Sequence, residues 1–425
     1  MKNNWERKKI GDIGKVKTCK RIYKKETSSF GEIPFLKISS FDDISSCDCF
    51  ISKELFDKYR SLYSYPNIGD VLISASGTIG KLKRHLSDNV YYQDSNIIWL
   101  DNNEKEILND YLYYIYKNIS WVKTLGSTIP RLYNSNVEEV TIEFPKSLKE
   151  QEKNIKILKL IDEKIKINMN ISSKLEEIIE TIYNYWFLQF DFPNEDGKPY
   201  KSSGGEMVYN EKLKIEIPKG WKVDKLSNYI TFKRGISYTS KNISDNMEDV
   251  PMVNLASVNR DATYNKGGIK YFKGKHKEEK IATSNDLLIA CTDLTKNLDI
   301  VGKPVIVPAL YDKFLYSMDL AKVEFKNDLI GRFYLYRTLN TSFYHKYIKG
   351  FSSGTNVQHL DLCGIEGYRV VIPNKEVLDK FELLCENLYK KINLSACENE
   401  KLEELKNYLL PLLMNGQVGF KEDSE

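Results

Sequence analysis

Four short segments of this 425-residue chain carry side chains suited to gripping a polar ligand. "SASGTIGKLKR", from Ser74 to Arg84, offers the hydroxyls of Ser74, Ser76 and Thr78, two glycines, and the cations Lys81, Lys83 and Arg84. "GSTIPRL", from Gly126 to Leu132, adds Ser127, Thr128 and Arg131. Much later, "CTDLTKN" (Cys291 to Asn297) brings Thr292, Lys296 and Asn297, and "SSGTNVQHL" (Ser352 to Leu360) brings Thr355, Asn356, Gln358 and His359. Hydroxyls contact phosphate or base edges, Arg and Lys read guanine, and Asn and Gln read adenine. Taken singly, each of these residues is better explained as a turn former. Their matched order in the two halves of the chain, with different residue types, is harder to explain that way.

Charge distribution adds to this. The formal net charge is only +4, but residues 1–25 hold ten Lys or Arg, Lys15, Lys17 and Arg21 among them, against Glu6 and Asp12. In the second half Lys233 and Arg234 sit in "ITFKRG", and the segment from Lys266 to Lys280 is basic. One such cluster is as easily a solvated face; one in each half suggests phosphate contacts.

Reactive constellations were sought and not found. There is no GxxxxGK[ST] loop, and "GTIGK" at Gly77 to Lys81 is too short and lacks the following hydroxyl. There is no GxGxxG, GxSxG, HExxH or Asn-Pro-Pro-aromatic tetrapeptide, and His85, His276, His345 and His359 lack metal-ligand spacing. Cys47 and Cys49 have no second ligand pair, so no zinc site is expected. The chain therefore reads as non-catalytic, with no metal and no cofactor of its own.

The elements that position these loops occur twice. Trp5 opens "WERKKIGDIGKVKTCKRI" and Trp221 opens "WKVDKLSNYITFKRGI"; "IPFLKISSF" returns as "VPMVNLASV", and "GDVLISASG" as "NDLLIACTD". Each copy alternates short β-rich runs with turns and one helical stretch, then closes on a strand stopping at a proline, Pro145 or Pro373. The tyrosines of "YLYYIYKNI" and "YLYRTLNTSFY" have helical spacing and are assigned to cores rather than to base stacking.

After each proline the hydrophobic period lengthens. Leu158, Ile161, Ile165, Asn168, Ser172, Leu175, Ile179, Ile182 and Trp186 follow 3-4 spacing, as do Val377, Phe381, Leu384, Leu388, Lys391, Ser395, Glu398, Leu402, Leu405, Leu409 and Leu412. Both seams break mid-way on polar residues, Asn168 and Ser172 in one, Lys391, Ser395 and Glu398 in the other. Antiparallel pairing would set the two breaks opposite each other. The competing reading is that each helix packs on its own globular unit as ordinary core.

The expected architecture is α+β. Two mixed α/β units (1–147 and 219–374) are joined by two long helices (148–192 and 375–416) forming an antiparallel coiled coil, with an internal pseudo-twofold repeat. A Pro-, Gly- and Ser-rich connector occupies 193–218 and a polar tail 417–425. A hydrophobic content of 41% and a charged content of 29% are those of a soluble globular protein. With seven scattered cysteines, no CxxC, no secretory h-region and no apolar run of membrane-spanning length, the expected location is a reducing cytoplasm.

The ordered, twice-occurring set of "GWKVDKLSNYITFKRG", "GDVLISASGTIGKL", "GSTIPRL" and a helix after each unit resembles the specificity (S) subunit of bacterial type I restriction–modification systems. "YNYWFLQFDFPNEDGKPYKSSGGEMVY" followed by "IPKGW" looks like the central region of such subunits. The second copy departs at "ACTDLTKNLDIVGKPVIV", where the SGTIG loop is not kept. The resemblance implies that each unit is a target-recognition domain reading one half of a bipartite duplex DNA site. It implies that the helices set the gap and dock two modification (M) subunits, with restriction (R) subunits joining. S-adenosylmethionine, ATP and Mg²⁺ would then belong to those partners. Three other readings remain open at this level: the specificity chain of a type IIB-like methyltransferase–nuclease system, a stand-alone DNA-acting enzyme with an unrecognised site, and a plain coiled-coil scaffold.

Overall fold

The computed structural model describes residues 4–41, 44–121, 131–295 and 297–419. The chain divides into two compact units, Met1–Lys164 with Leu402–Glu425, and Ile165–Lys401.

In the first unit, strand β1 (Trp5–Lys9) is followed by β2 (Lys15–Thr18), β3 (Ile33–Leu36), β4 (Phe50–Ile51), β5 (Val71–Ser74), β6 (Leu82–Arg84), β7 (Tyr91–Tyr92), β8 (Ile97–Asp101) and β9 (Thr141–Pro145). β1 pairs antiparallel with β9, Trp5 opposite Pro145. β2-β8-β5-β6 form an antiparallel sheet, and β4-β3-β7 a second one in which β3 and β7 run parallel. The β5 and β8 sequences are nearly continuous apolar runs because both faces of this sheet are covered. Val71, Ile73, Ile98 and Leu100 pack with the helix Asn109–Asn118 through Tyr111, Leu112 and Ile115. The alternate residues Leu72, Ile97 and Trp99 pack with Phe35, Leu36 and Tyr91. The two-residue period of a strand divides one run between two cores.

The second unit begins with a hairpin of β10 (Met207–Asn210) and β11 (Ile215–Pro218). Then come β12 (Lys222–Lys225), β13 (Ile230–Arg234), β14 (Ile243–Ser244), β15 (Val250–Val253), β16 (Lys270–Phe272), β17 (Ile281–Ala282), β18 (Leu287–Ala290), β19 (Thr292–Asp293) and β20 (Pro304–Ile306). β21 (Phe314–Tyr316), β22 (Leu320–Phe325), β23 (Ser352–Ser353), β24 (Gln358–Leu360) and β25 (Arg369–Ile372) complete it. The repeat holds at the level of pairing. β12–β25 repeats β1–β9, the sheet β13-β22-β18-β20 repeats β2-β8-β5-β6, and parallel β15–β21 repeats β3–β7. The same division of faces recurs, Leu287 and Ile289 in one core, Leu288 and Ala290 in another. As the helical spacing predicts, Tyr111, Tyr114, Tyr116, Tyr334, Tyr336 and Tyr344 are buried.

Two long helices, Leu148–Tyr183 and Lys375–Met414, each contribute a stretch to both units. In the second unit Asn168 meets Glu398 and Asn399 while Trp186 meets Phe381, so one helix rises as the other falls: the pairing is antiparallel. In the first unit Asp162 contacts Lys406, and Leu158 shares a core with Leu410, Leu413 and Met414. Of the expected seam, Leu158, Ile161, Asn168 and Ile179 are buried, and Ile165, Leu175, Ile182, Leu384, Leu388, Ser395, Leu402 and Leu409 are partly buried. Leu405 departs from it at 43% exposed. On the second helix the buried face also takes in Cys385 and Tyr389, which lie off that seam. The cause is a second partner: this helix also packs on its unit's core, where the Phe333 and Tyr389 rings stack at 4.6 Å. The competing packing on the globular core is thus realised together with the helix pair, which widens the buried face beyond a coiled-coil seam.

The connector is itself folded. The first helix ends in a wider turn over Asn184–Leu188 that sends Phe187 inward. Phe192 stacks on Tyr200 at 4.6 Å and on Trp221 at 4.9 Å. Its turn residues close short loops and a hairpin rather than leaving a free linker.

Candidate nucleic-acid interface

In the first unit the β5–β6 loop is held by its own hydrogen bonds. Ser74 is fully buried; its hydroxyl donates to Thr78 O (2.5 Å) and accepts from Lys81 N (2.8 Å). Ser74, expected to face a ligand, therefore ties the loop together. Gly80 adopts φ +83° and donates its N–H to Ser74 O, closing the loop against Trp121, which lies 2.7 Å from where a Cβ would stand. Ser76 Oγ donates to Asn96 Oδ1 at 2.8 Å, and Ala75 N to Asn96 O. Arg131 Nη2 donates to Ser95 O at 3.0 Å, and Arg21 lies 3.8 Å from Asp94. Arg21, Ser76, Thr78, Lys81 and Arg131 therefore gather where β8 begins.

The other candidates in this unit lie elsewhere. Lys15 and Lys17 flank Asp101 at the far end of β8, Lys17 in an ion pair with it. Lys83 Nζ donates to Phe41 O (2.8 Å). Arg84 pairs with Asp110 at 2.9 Å and covers the Tyr113 ring at 3.9 Å, commitments that make it part of the scaffold. Ser127 and Thr128 lie outside the described residues.

The second unit repeats this arrangement with different chemistry. Thr292 Oγ1 donates to Asp319 Oδ1 at 3.0 Å and Cys291 N to Asp319 O, as Ser76 and Ala75 do to Asn96. Leu360 N donates to Cys291 O, as Leu132 N does to Ala75 O. Gly302, at φ +73°, donates to Ala290 O as Gly80 does to Ser74 O. The SGTIG loop has thus been lengthened, with its closing Gly-Lys kept as Gly302-Lys303. Asp293 secures the extra length through the N–H groups of Thr295, Ile300 and Val301. Burial opposes its charge, but those hydrogen bonds outweigh it and hold the carboxyl below its usual range.

Arg234, at the end of β13, donates to Leu360 O (3.3 Å) and Met318 O (3.4 Å) beside this pair. Thr292, opposite His359 across β19–β24, is buried with its hydroxyl spent on Asp319, so like Ser74 it braces the loop rather than facing a ligand. His359, Thr355 and Asn356 are exposed, the last two in a turn where Gln358 Nε2 donates to Gly354 O at 2.5 Å. Asn297 is exposed and its carbonyl accepts from Lys349 Nζ (2.7 Å). Lys233 pairs with Glu324 at 2.6 Å, and Lys296 lies outside the described residues. Next to Arg234 an open depression of about 530 Å³ is lined by Gly235, Ile236, Ser237, Lys275, His276, Lys277, Glu279 and Lys280, the end of the basic run seen in the sequence.

The acceptors Asn96 and Asp319 were not singled out in the sequence, although each immediately precedes a repeated strand, "IIWL" and "LAKV". Extending the internal alignment by one strand would have found both. Among the described residues no group of three or more His, Cys, Asp or Glu is placed to hold a metal ion, and no helix is long and apolar enough to cross a membrane.

Residues 2–177 match the family described as type I restriction modification DNA specificity domain. A putative type I restriction enzyme specificity subunit, S.HindORF215P of Haemophilus influenzae, is 51% identical over 35% of this chain, a match spanning 38% of that relative's length. The type I restriction enzyme MjaIX specificity subunit of Methanocaldococcus jannaschii is 27% identical, covering 99% of this chain and 94% of its own. Among solved structures, the type I restriction–modification S subunit from M. genitalium superposes with a TM-score of 0.52 at 14% identity, covering 96% of each chain.

Proposed function

We propose that the chain is a specificity subunit of a type I restriction–modification system, as its matches to such subunits support, and that it reads a bipartite duplex DNA site, one half with each unit. The observation that carries this reading is the pair of matched loop clusters. The same hydrogen-bonded frame presents Ser76, Asn96 and Arg131 in one unit and Asp319, Arg234 and His359 in the other, where buried Thr292 braces Asp319. One frame with two sets of donors and acceptors is what two different half-sites require. Each reader binds weakly alone and strongly with its twin, because the second contact is intramolecular.

In this reading the paired helices set the gap between half-sites and dock two modification subunits, with restriction subunits completing the assembly in the cytoplasm. The chain contributes no bond-making group. S-adenosylmethionine, ATP and Mg²⁺ belong to the partners. A type IIB-like context would use the same chain with differently fused partners.

The test is selection of duplexes from a randomised pool by the full chain, alone and with its modification subunits. A two-part consensus with a fixed gap is expected, with binding that weakens steeply as salt rises. Methyl transfer or cutting by the chain alone with Mg²⁺ and S-adenosylmethionine would overturn the proposal, as would salt-insensitive binding.

A further inference from the structure

Leu294 and Met318 are 68% and 52% exposed, and both stand beside the Thr292–Asp319 pair. Met318 precedes Asp319, and Leu294 is the second residue beyond Thr292. In the first unit the positions fixed by the equivalent hydrogen bonds hold Ser95 and Thr78, both exposed and both hydroxylic. An isolated apolar side chain at a surface is ordinary. Two at one loop cluster, where the duplicated unit keeps hydroxyls, point to a ligand with an apolar feature.

The surroundings define that ligand. Arg234 is anchored on Met318 O and Leu360 O, and the open depression beside it is lined by Lys275, Lys277 and Lys280, cations suited to a phosphodiester. Among the base pairs of duplex DNA, the apolar group displayed in the major groove is the C5-methyl of thymine. We infer that Leu294 and Met318 read a thymine methyl in the half-site taken by the second unit, while Ser95 and Thr78 make the first unit's readout one of hydrogen bonds. The inference rests on the proposed DNA-reading role and adds which base feature each unit senses.

The experiment selects duplexes from a randomised pool with the full chain and with a Leu294→Ala/Met318→Ala double variant. Both side chains are exposed, and an unchanged consensus for the first unit's half-site reports an intact fold. The variant should lose preference at thymine positions in one half-site only. Replacing such a thymine by deoxyuridine should weaken the parent about fourfold per methyl removed and leave the variant unaffected. A parent with no uracil-sensitive position in that half, a variant keeping the full sensitivity, or relaxation in both halves would overturn the inference. Bipartite selective binding without uracil sensitivity overturns the methyl readout alone; absence of any sequence-selective binding overturns the DNA-reading role with it.

Discussion

Asn168 Nδ2 donates to Glu398 Oε2 at 2.7 Å and to Asn399 Oδ1 at 2.9 Å, joining the two long helices where their apolar seam is interrupted. Asn168 is 2% exposed, while its acceptors lie at the edge of the helix pair, Glu398 exposed and Asn399 half-buried. Buried polar pairs of this kind fix helix register at some expense of stability. Asn168→Ala should therefore lower stability by about 1–3 kcal/mol, since it removes a donor and opens space, while Asn168→Leu should recover much of that loss. Urea titration of both variants checks this; an alanine variant that unfolds like the parent would show the pair to be idle.

On the proposed reading the two loop clusters should contribute separably to DNA binding. Arg131→Ala should weaken recognition of one half-site and Arg234→Ala of the other, each by roughly tenfold or more if it removes a base contact worth about 1–3 kcal/mol. Lys275→Ala and Lys277→Ala should instead weaken binding to all sequences and each reduce the salt slope by about 1. Titrations at several salt concentrations against site variants distinguish the two patterns. An Arg131 variant that disturbs both half-sites would contradict the division of labour.

Acid acts oppositely on two groups, one in each unit. Burial pushes Asp70 up to about 6, although Asn67 N and Asn109 Nδ2 both donate to it. Its contribution to stability is greatest below the ordinary carboxyl value and is lost as pH rises through about 6. His345 is held down to about 4 by burial, with Lys303 and Lys349 adding to the effect, so its contribution is present above about 6.5 and lost as pH falls through about 4. The stability of Asp70→Asn relative to the parent should thus rise between pH 4 and 7. That of His345→Gln should rise as pH falls over the same range. Hydrogen exchange of core amides in each unit supplies the measurement, and curves of the same sign would refute it.

How far the sequence discloses this molecule depends on which interactions are local. The short apolar runs "VLIS" and "IIWLD" and the heptads around Asn168 are chain-local patterns, and strands and helices form where they predict. Leu405 shows the limit: it lies in the first unit, where the helix gives Leu410, Leu413 and Met414 to the globular core and leaves Leu405 at the surface, which no heptad count contains. Ser74 shows another, because a hydroxyl in a polar loop reads the same whether it faces a ligand or its own backbone. The aromatic packing of Phe192, Tyr200 and Trp221 was hidden by the Pro, Gly and Ser around it. Asn96 and Asp319 were recoverable from the repeat itself; Leu294 and Met318 gain meaning only once those acceptors align the two units.

The helix pair offers a mechanical test of how the gap is set. Because Asn168 faces Glu398 in antiparallel register, an insertion in one helix alone breaks that contact and misaligns every later layer. Seven residues inserted after Ser172, matched by seven inserted before Lys391, preserve the apolar repeat on both sides. At a rise of about 1.5 Å per residue this adds roughly 10 Å of helix, equal to about three base pairs at about 3.4 Å each. The matched insertion should keep both half-site sequences and lengthen the selected gap by about three base pairs. The single insertion should lower stability and broaden the gap distribution. If the matched variant selects the parental gap, the helices are not the spacer and the distance between half-sites is set by the partner subunits instead.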